Sequence, residues 1–138
     1  MKITPYQDVR KKIWNKLGNK CGKDTFLNNN IILVDSSELE TNVFLEDRVA
    51  LAPYVTFITC SSPNDSILAK EEYTKKYIKM GSIYIGEDSW IGTHTVIHPG
   101  VHIGKRCIIG SCSNVTKDIP DDSLAFGNPA KIIRRLKE

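Results

Sequence analysis

The sequence predicts an all-β solenoid, a parallel β-helix wound from hexapeptide repeats, and three observations predict it. The first is a period of six. Over residues 83–115 an aliphatic side chain returns at Ile85, Ile91, Ile97, Ile103, Ile109 and Val115, a spacing that neither a helix of period 3.6 nor a strand of period two produces. The second is what stands two places before each: Ile83, Ser89, Thr95, Val101, Cys107 and Ser113, all small or β-branched. The third is the position after each, Gly86, Gly92, His98, Gly104, Gly110 and Thr116, which is glycine in four of six. A hexad supplies a short strand and a corner, so three hexads close one triangular coil. The aliphatic residue turns inward and the smaller one fills the narrow interior. Glycine is expected at the corner for the backbone angles it tolerates.

In chain order, residues 1–20 hold an N-terminal helix. Val9, Ile13 and Leu17, widened by Tyr6 and Trp14, form an apolar stripe expected to cover the open end of the solenoid. Arg10, Lys11, Lys12 and Lys16 form the wet side, Pro5 suits the first turn and Gly18 the stop. Residues 25–58 carry a first β-helix section with a weaker ladder, Leu27, Leu33, Leu39, Leu45, Leu51 and Phe57. Thr25, Ile31, Ser37, Val43, Val49 and Val55 precede these by two. Phe57 and Ile85 are out of phase, so residues 59–82 are an excursion loop, with turn chemistry at 61–66 and a short helical piece over 69–80. Such a loop in a small domain is more often functional than idle. Residues 83–120 form the second section, and 121–138 a C-terminal helical segment closing the other end.

With 138 residues and a formal charge of +3, the chain has room for one domain and too little basicity to argue for nucleic acid. Cys21, Cys60, Cys107 and Cys112 make no C-x-x-C pair, and the N-terminal segment has no unbroken apolar run. A soluble cytoplasmic protein without a membrane span is expected.

Trp90-Ile91-Gly92-Thr93, Pro99-Gly100-Val101-His102-Ile103-Gly104, Val115-Thr116-Lys117-Asp118-Ile119-Pro120 and Gly127-Asn128-Pro129-Ala130-Lys131 together resemble the left-handed β-helix acyltransferases, in the branch of the maltose and galactoside O-acetyltransferases. The left hand is an inference from this resemblance. The resemblance implies acetyl transfer from acetyl-CoA to a hydroxyl of a sugar or similar acceptor, in a homotrimer with each active site between subunits. Carried over by position, Trp90 and Thr93 line the thioester end and Ser111 touches the pantetheine arm. Thr116, Lys117, Lys131 and Arg134 meet the nucleotide and its phosphates, for which fixed cations are the suitable chemistry.

On the acceptor side, Asn28 matches an acceptor-positioning Asn. The family's general-base His falls within Thr59-Cys60-Ser61-Ser62-Pro63, where this chain has Ser62. A serine hydroxyl is not a base near neutral pH. Asp65 in the same loop, a histidine from a neighbouring subunit, or an amine acceptor are the available repairs. A catalytically inactive or altered β-helix that binds or scaffolds is the alternative. His94, His98 and His102 stand four apart, but Pro99, Gly100 and the hexad register exclude a helical metal face. No metal is expected, and a zinc-dependent protein resembling the β-helix carbonic anhydrases is the weaker runner-up.

Overall fold

The computed structural model describes residues 5–137; the first four residues of the expected N-terminal segment and residue 138 lie outside the described residues. After helix α1 (Pro5–Lys16) the chain winds a left-handed parallel β-helix. The first coil is β1 (Lys20–Cys21), β2 (Phe26–Leu27) and β3 (Ile32–Val34), and the second is β4 (Val43–Leu45), β5 (Ala50–Leu51) and β6 (Thr56–Ile58). An excursion follows, bounded by β7 (Cys60–Ser61) and β8 (Lys79–Met80). The third coil is β9 (Ile83–Ile85), β10 (Trp90–Ile91) and β11 (Val96–Ile97), and the fourth β12 (His102–Ile103), β13 (Ile108–Ile109) and β14 (Asn114–Val115). Strands stack in register into β1-β4-β9-β12, β2-β5-β10-β13 and β3-β6-β11-β14, the first, second and third faces of a triangular prism.

The inward positions are the predicted ones. Leu27, Leu45, Leu51, Phe57 and the ladder isoleucines Ile85, Ile91, Ile97, Ile103 and Ile109 are buried, as are Val43, Val49, Val55, Ile83, Val101 and Cys107. The ladder fails at one rung. Tyr84 pairs with His102, 18 positions on, but Lys20 pairs with Phe44, 24 positions on. The first turn of the solenoid therefore holds one hexad too many. Residues 35–42 leave the wall as a loop in which Ser37 is exposed and Leu39 half-buried. Adding one whole repeat preserves the phase of six, so the sequence reads as unbroken.

The excursion widens the next spacing, Val43 to Ile83, to 40 positions. β7 and β8 pair antiparallel at its neck, and the expected helical piece is two short 3-10 helices, Ile67–Lys70 and Glu72–Tyr77.

The glycines serve a different purpose from the one expected. Gly86, Gly92, Gly104 and Gly110 all have ordinary backbone angles. A Cβ on Gly86 would lie 2.6 Å from the carbonyl carbon of Gly104, and one on Gly92 2.6 Å from the Ser111 nitrogen. These positions are small because the next coil passes directly over them. The left-handed backbone at the corners is taken instead by Asp24, Arg48, Asp88, Arg106 and Asp122 after the first face, and by Asn30, Tyr54, His94 and Cys112 after the second. The former set doubles as a charge ladder. Arg48 donates to Asp88 at 2.6 and 2.9 Å, and Arg106 to Asp122 at 2.7 and 3.1 Å.

Two terminal expectations are corrected. In α1, Tyr6, Val9, Ile13 and Leu17 are exposed, while Gln7 and Trp14 are buried and Arg10 is half-buried. The open end of a coil presents unmet backbone N–H and C=O groups, which an aliphatic stripe cannot satisfy. The Gln7 amide accepts from Leu27 N at 3.0 Å and donates to Leu27 O at 2.9 Å. Trp14 meets Phe57 edge-on at 5.6 Å and donates its indole N–H to Lys20 O at 3.1 Å.

The C-terminal segment is a pair of strands and not a helix. β15 (Ser123–Gly127) adds to the second face beside β13, a turn follows through the cis Asn128–Pro129 bond, and β16 (Ala130–Arg135) returns antiparallel. A stretch this short is a marginal helix by itself, whereas the edge of β15 offers a row of hydrogen-bond partners. Lys131, Arg134 and Arg135 then charge the new outer edge, a device that discourages further strand addition.

Candidate active site

The expected site residues divide between two adjacent corners of the prism. Asn28, Thr93 and Ser111 lie at the corner between the second and third faces. Coil sits on coil there through Tyr54 N to Asn29 O (3.2 Å), His94 N to Pro53 O (3.3 Å) and Cys112 N to Thr93 O (2.9 Å). Trp90 projects from the adjoining second face and is 57% exposed. Its register partner is Ile108, whose partner is Leu124, whose partner is Arg134. Since Ile91, Ile109 and Ala125 are the buried neighbours in those strands, Trp90, Ile108, Leu124 and Arg134 form one outward column, with Lys131 on the same edge strand. The strand that replaced the expected helix is what puts Arg134 in line with Trp90.

Ser62, Asp65, Thr116 and Lys117 belong to the other corner, between the third and first faces. Thr116 and Lys117 follow β14, and the excursion leaves after β6 and β7 at that same corner two coils earlier. One chain does not bring the two groups together.

Local chemistry differs among them. Thr93 already donates its hydroxyl to Pro53 O at 2.6 Å, so its oxygen remains as an acceptor. Ser111 is exposed. Ser62 donates to Asn64 Oδ1 at 3.0 Å in an exposed turn, and Asp65 beside it is exposed too. The Asn28 carbonyl oxygen accepts from Asn29 N at 2.9 Å, leaving its amide N–H groups free. Ion pairs among the described residues engage Arg48, Lys75, Lys105, Arg106 and Lys137. Lys117, Lys131 and Arg134 therefore stand uncompensated. A column with an exposed indole low down, apolar side chains above it and free cations at its top suits a long ligand with an apolar arm and a polyanionic end.

The three histidines do not converge. His94 stacks on Tyr54 at 4.9 Å, His102 tilts over Tyr84 at 4.4 Å on the first face, and His98 Nε2 lies 2.6 Å from Asn114 Oδ1. Asn114 in turn donates to Asn128 Oδ1 at 3.0 Å, so His98 helps to fix the turn between β15 and β16. Among the described residues no group of three or more His, Cys, Asp or Glu is placed to hold a metal ion. Arg10, expected on the wet side of α1, is instead half-buried in a groove that Asn28 also lines. Its position four before Trp14, the buried anchor of α1, is the only signal the sequence carries for it.

The family described as bacterial transferase hexapeptide (six repeats) matches residues 82–117. Galactoside O-acetyltransferase from Lactococcus lactis subsp. lactis (strain IL1403) is 33% identical over 150 residues, covering 95% of this chain and 68% of the relative. The chain thus belongs to the hexapeptide-repeat acetyltransferase family, on the side of the galactoside and maltose O-acetyltransferases. Among solved structures, a hexapeptide-repeat acetyltransferase of Vibrio cholerae O1 biovar eltor complexed with acetyl coenzyme A superposes with a TM-score of 0.73 at 33% identity, over 88% of this chain and 62% of that one. A maltose O-acetyltransferase from Clostridium difficile 630 gives 0.71 at 27% identity, over 99% and 80%. Other curated relatives are longer, this chain spanning 56% of them.

Proposed function

We propose that the chain is an acetyl-CoA-dependent acetyltransferase acting on a hydroxyl, or an amine, of a sugar or similar small acceptor. It works as a homotrimer with active sites between subunits. The observation that carries the reading is the outward column from Trp90 to Arg134. Acetyl-CoA lies along it, the thioester near Trp90 and Thr93, the pantetheine arm past Ser111 and the phosphates toward Lys131 and Arg134. The division of site residues between two corners supports the trimer, because a groove between two prisms sets one corner of each against the other. Thr116, Lys117 and the excursion with Ser62 and Asp65 then come from the facing subunit. Four thiols, none of them in a disulfide, support a cytoplasmic setting.

In the transfer, the acceptor oxygen or nitrogen forms a bond to the acetyl carbon, the carbon–sulfur bond breaks, and the acceptor's proton must leave. Asn28 orients the acceptor through its free amide N–H groups. Ser62, at the position of the family's His, cannot take the proton; Asp65 can, and a neutral amine needs less help. A second reading, a β-helix that binds without catalysing, is favoured by the tie between Ser62 and Asn64, which keeps the hydroxyl at that position within its own exposed turn.

Calorimetric titration with acetyl-CoA tests the proposal. Arg134→Ala is expected to weaken binding about tenfold, the loss of roughly one charge-assisted hydrogen bond, and absence of binding to the folded protein would sink it. With binding intact, Ser62→His should raise acetyl transfer to galactosides or maltose. No gain would favour the second reading.

A further inference from the structure

We infer that the acceptor carries an anionic group, a carboxylate or a phosphate, which Arg10 recognises in the groove between α1 and the first coil. The word acceptor rests on the acetyltransferase reading; the anion site itself does not.

The groove has a volume of about 230 Å³ and is walled by Ile13, Trp14, Leu17 and Leu33, with Arg10 and the three asparagines 28–30 as its polar lining. Arg10 is half-buried there. One Nη donates to Leu27 O at 2.9 Å and the other to Asn29 Oδ1. Both acceptors are neutral, and no carboxylate pairs with Arg10 among the described residues.

Capping the coil edge does not account for this arginine. Gln7 already donates to the same Leu27 carbonyl at 2.9 Å and accepts from the Leu27 N–H. A second donor adds little to an edge so satisfied, and a charged one drawn partly out of water without a counter-ion is unfavourable. An arriving anion removes that penalty. The two bonds hold the guanidinium in place and engage both Nη atoms. Its Nε–H, which bonds to nothing among the described residues, and the remaining Nη hydrogens are available to a carboxylate or phosphate.

The sequence around the groove is basic as well. Lys11, Lys12, Lys16, Lys20 and Lys23 join no ion pair among the described residues, against the acids Asp8 and Asp24 in the same stretch. Arg10 is the one charged residue that lines the groove among the described residues, so a positive field there attracts a ligand of the opposite sign. Asn28 faces the same groove with free amide donors, within reach of a ring whose anionic substituent sits on Arg10. The groove is smaller than the ~300 Å³ at which sites for drug-sized ligands begin, which suits one substituted ring rather than an oligosaccharide.

The test is titration with glucuronate, glucose 1-phosphate and methyl glucoside, without acetyl-CoA, followed by ligand-observed NMR. At least one charged sugar should bind roughly tenfold tighter than methyl glucoside, the value of a charge-assisted contact, and the favoured one identifies the anion as carboxylate or phosphate. Arg10→Gln should abolish the preference, while Lys12→Gln should change it little. Should Arg10→Gln unfold, Arg10→Lys reads the same point, since it keeps the charge and loses the fork. Equal affinity for the neutral sugar, no binding by any of the three, or a preference that survives Arg10→Gln overturns the inference. Acetyl-CoA affinity, measured separately, tells this failure from failure of the acetyltransferase reading.

Discussion

At Gly92 the demand of the fold is one of space. A Cβ there would come within 2.6 Å of the Ser111 nitrogen and 2.8 Å of the Ile109 oxygen, both backbone atoms that cannot step aside. Gly92→Ala is expected to destabilise the protein by about 1–3 kcal/mol, the usual cost of overpacking, read from urea unfolding. The sequence showed where such glycines recur but could not say why. Crowding by the next coil and an unusual φ leave the same mark on a sequence. The inward isoleucines were legible because burial has only one signature at period six, an aliphatic side chain. Arg10 was not legible, because its neighbour Asn29 lies 19 positions away and only the fold joins them.

At the scale of elements, the two misread pieces share a cause. The apolar pattern of α1 and of the terminal segment predicts helices that pack by their side chains, yet each is organised by a backbone edge it must satisfy. Gln7 met Leu27 and β16 met β15, and neither partnership depends on apolar pattern. The corner ladder is an element in its own right, and its behaviour in acid follows from Asp122. The Arg106 guanidinium holds that carboxyl down at about 2, below the ordinary ~3.9. Because the folded value is depressed, the stabilisation is fully present above ~3.9 and is lost as pH falls toward 2. In thermal melts, Asp122→Asn should lower the midpoint at neutral pH. Its difference from the parent should shrink through that acid window, and a constant difference would count against the ladder.

For the whole molecule, the proposed function makes the excursion the place where stability and activity can be tested apart. The second and third coils stack in full register, Val43 on Ile83 and Leu51 on Ile91, although the excursion lies between them. Shortening residues 61–79 until the 40-position spacing of Val43 and Ile83 approaches the 18 of Tyr84 and His102 should leave a cooperative melt. It should also abolish acetyl transfer, since Ser62 and Asp65 depart with the loop. Loss of the cooperative melt would mean that the excursion is part of the core. The division of the site between two corners was beyond the reach of a hexad ladder, which counts residues along one chain and does not register which side of a prism each one faces.

The extra hexad at residues 35–42 reaches further than a skipped rung. A loop that leaves the wall at a corner adds chain without disturbing any buried contact on either side, as the excursion shows: it lengthens its coil by a number that is no multiple of six, and Val43 still stacks on Ile83. Residues spliced into the 35–42 loop should therefore leave the core indifferent, whatever their number. The gap opens off β3, one strand beyond the Asn28 corner. It is the natural port for grafting a new acceptor loop onto an unaltered scaffold.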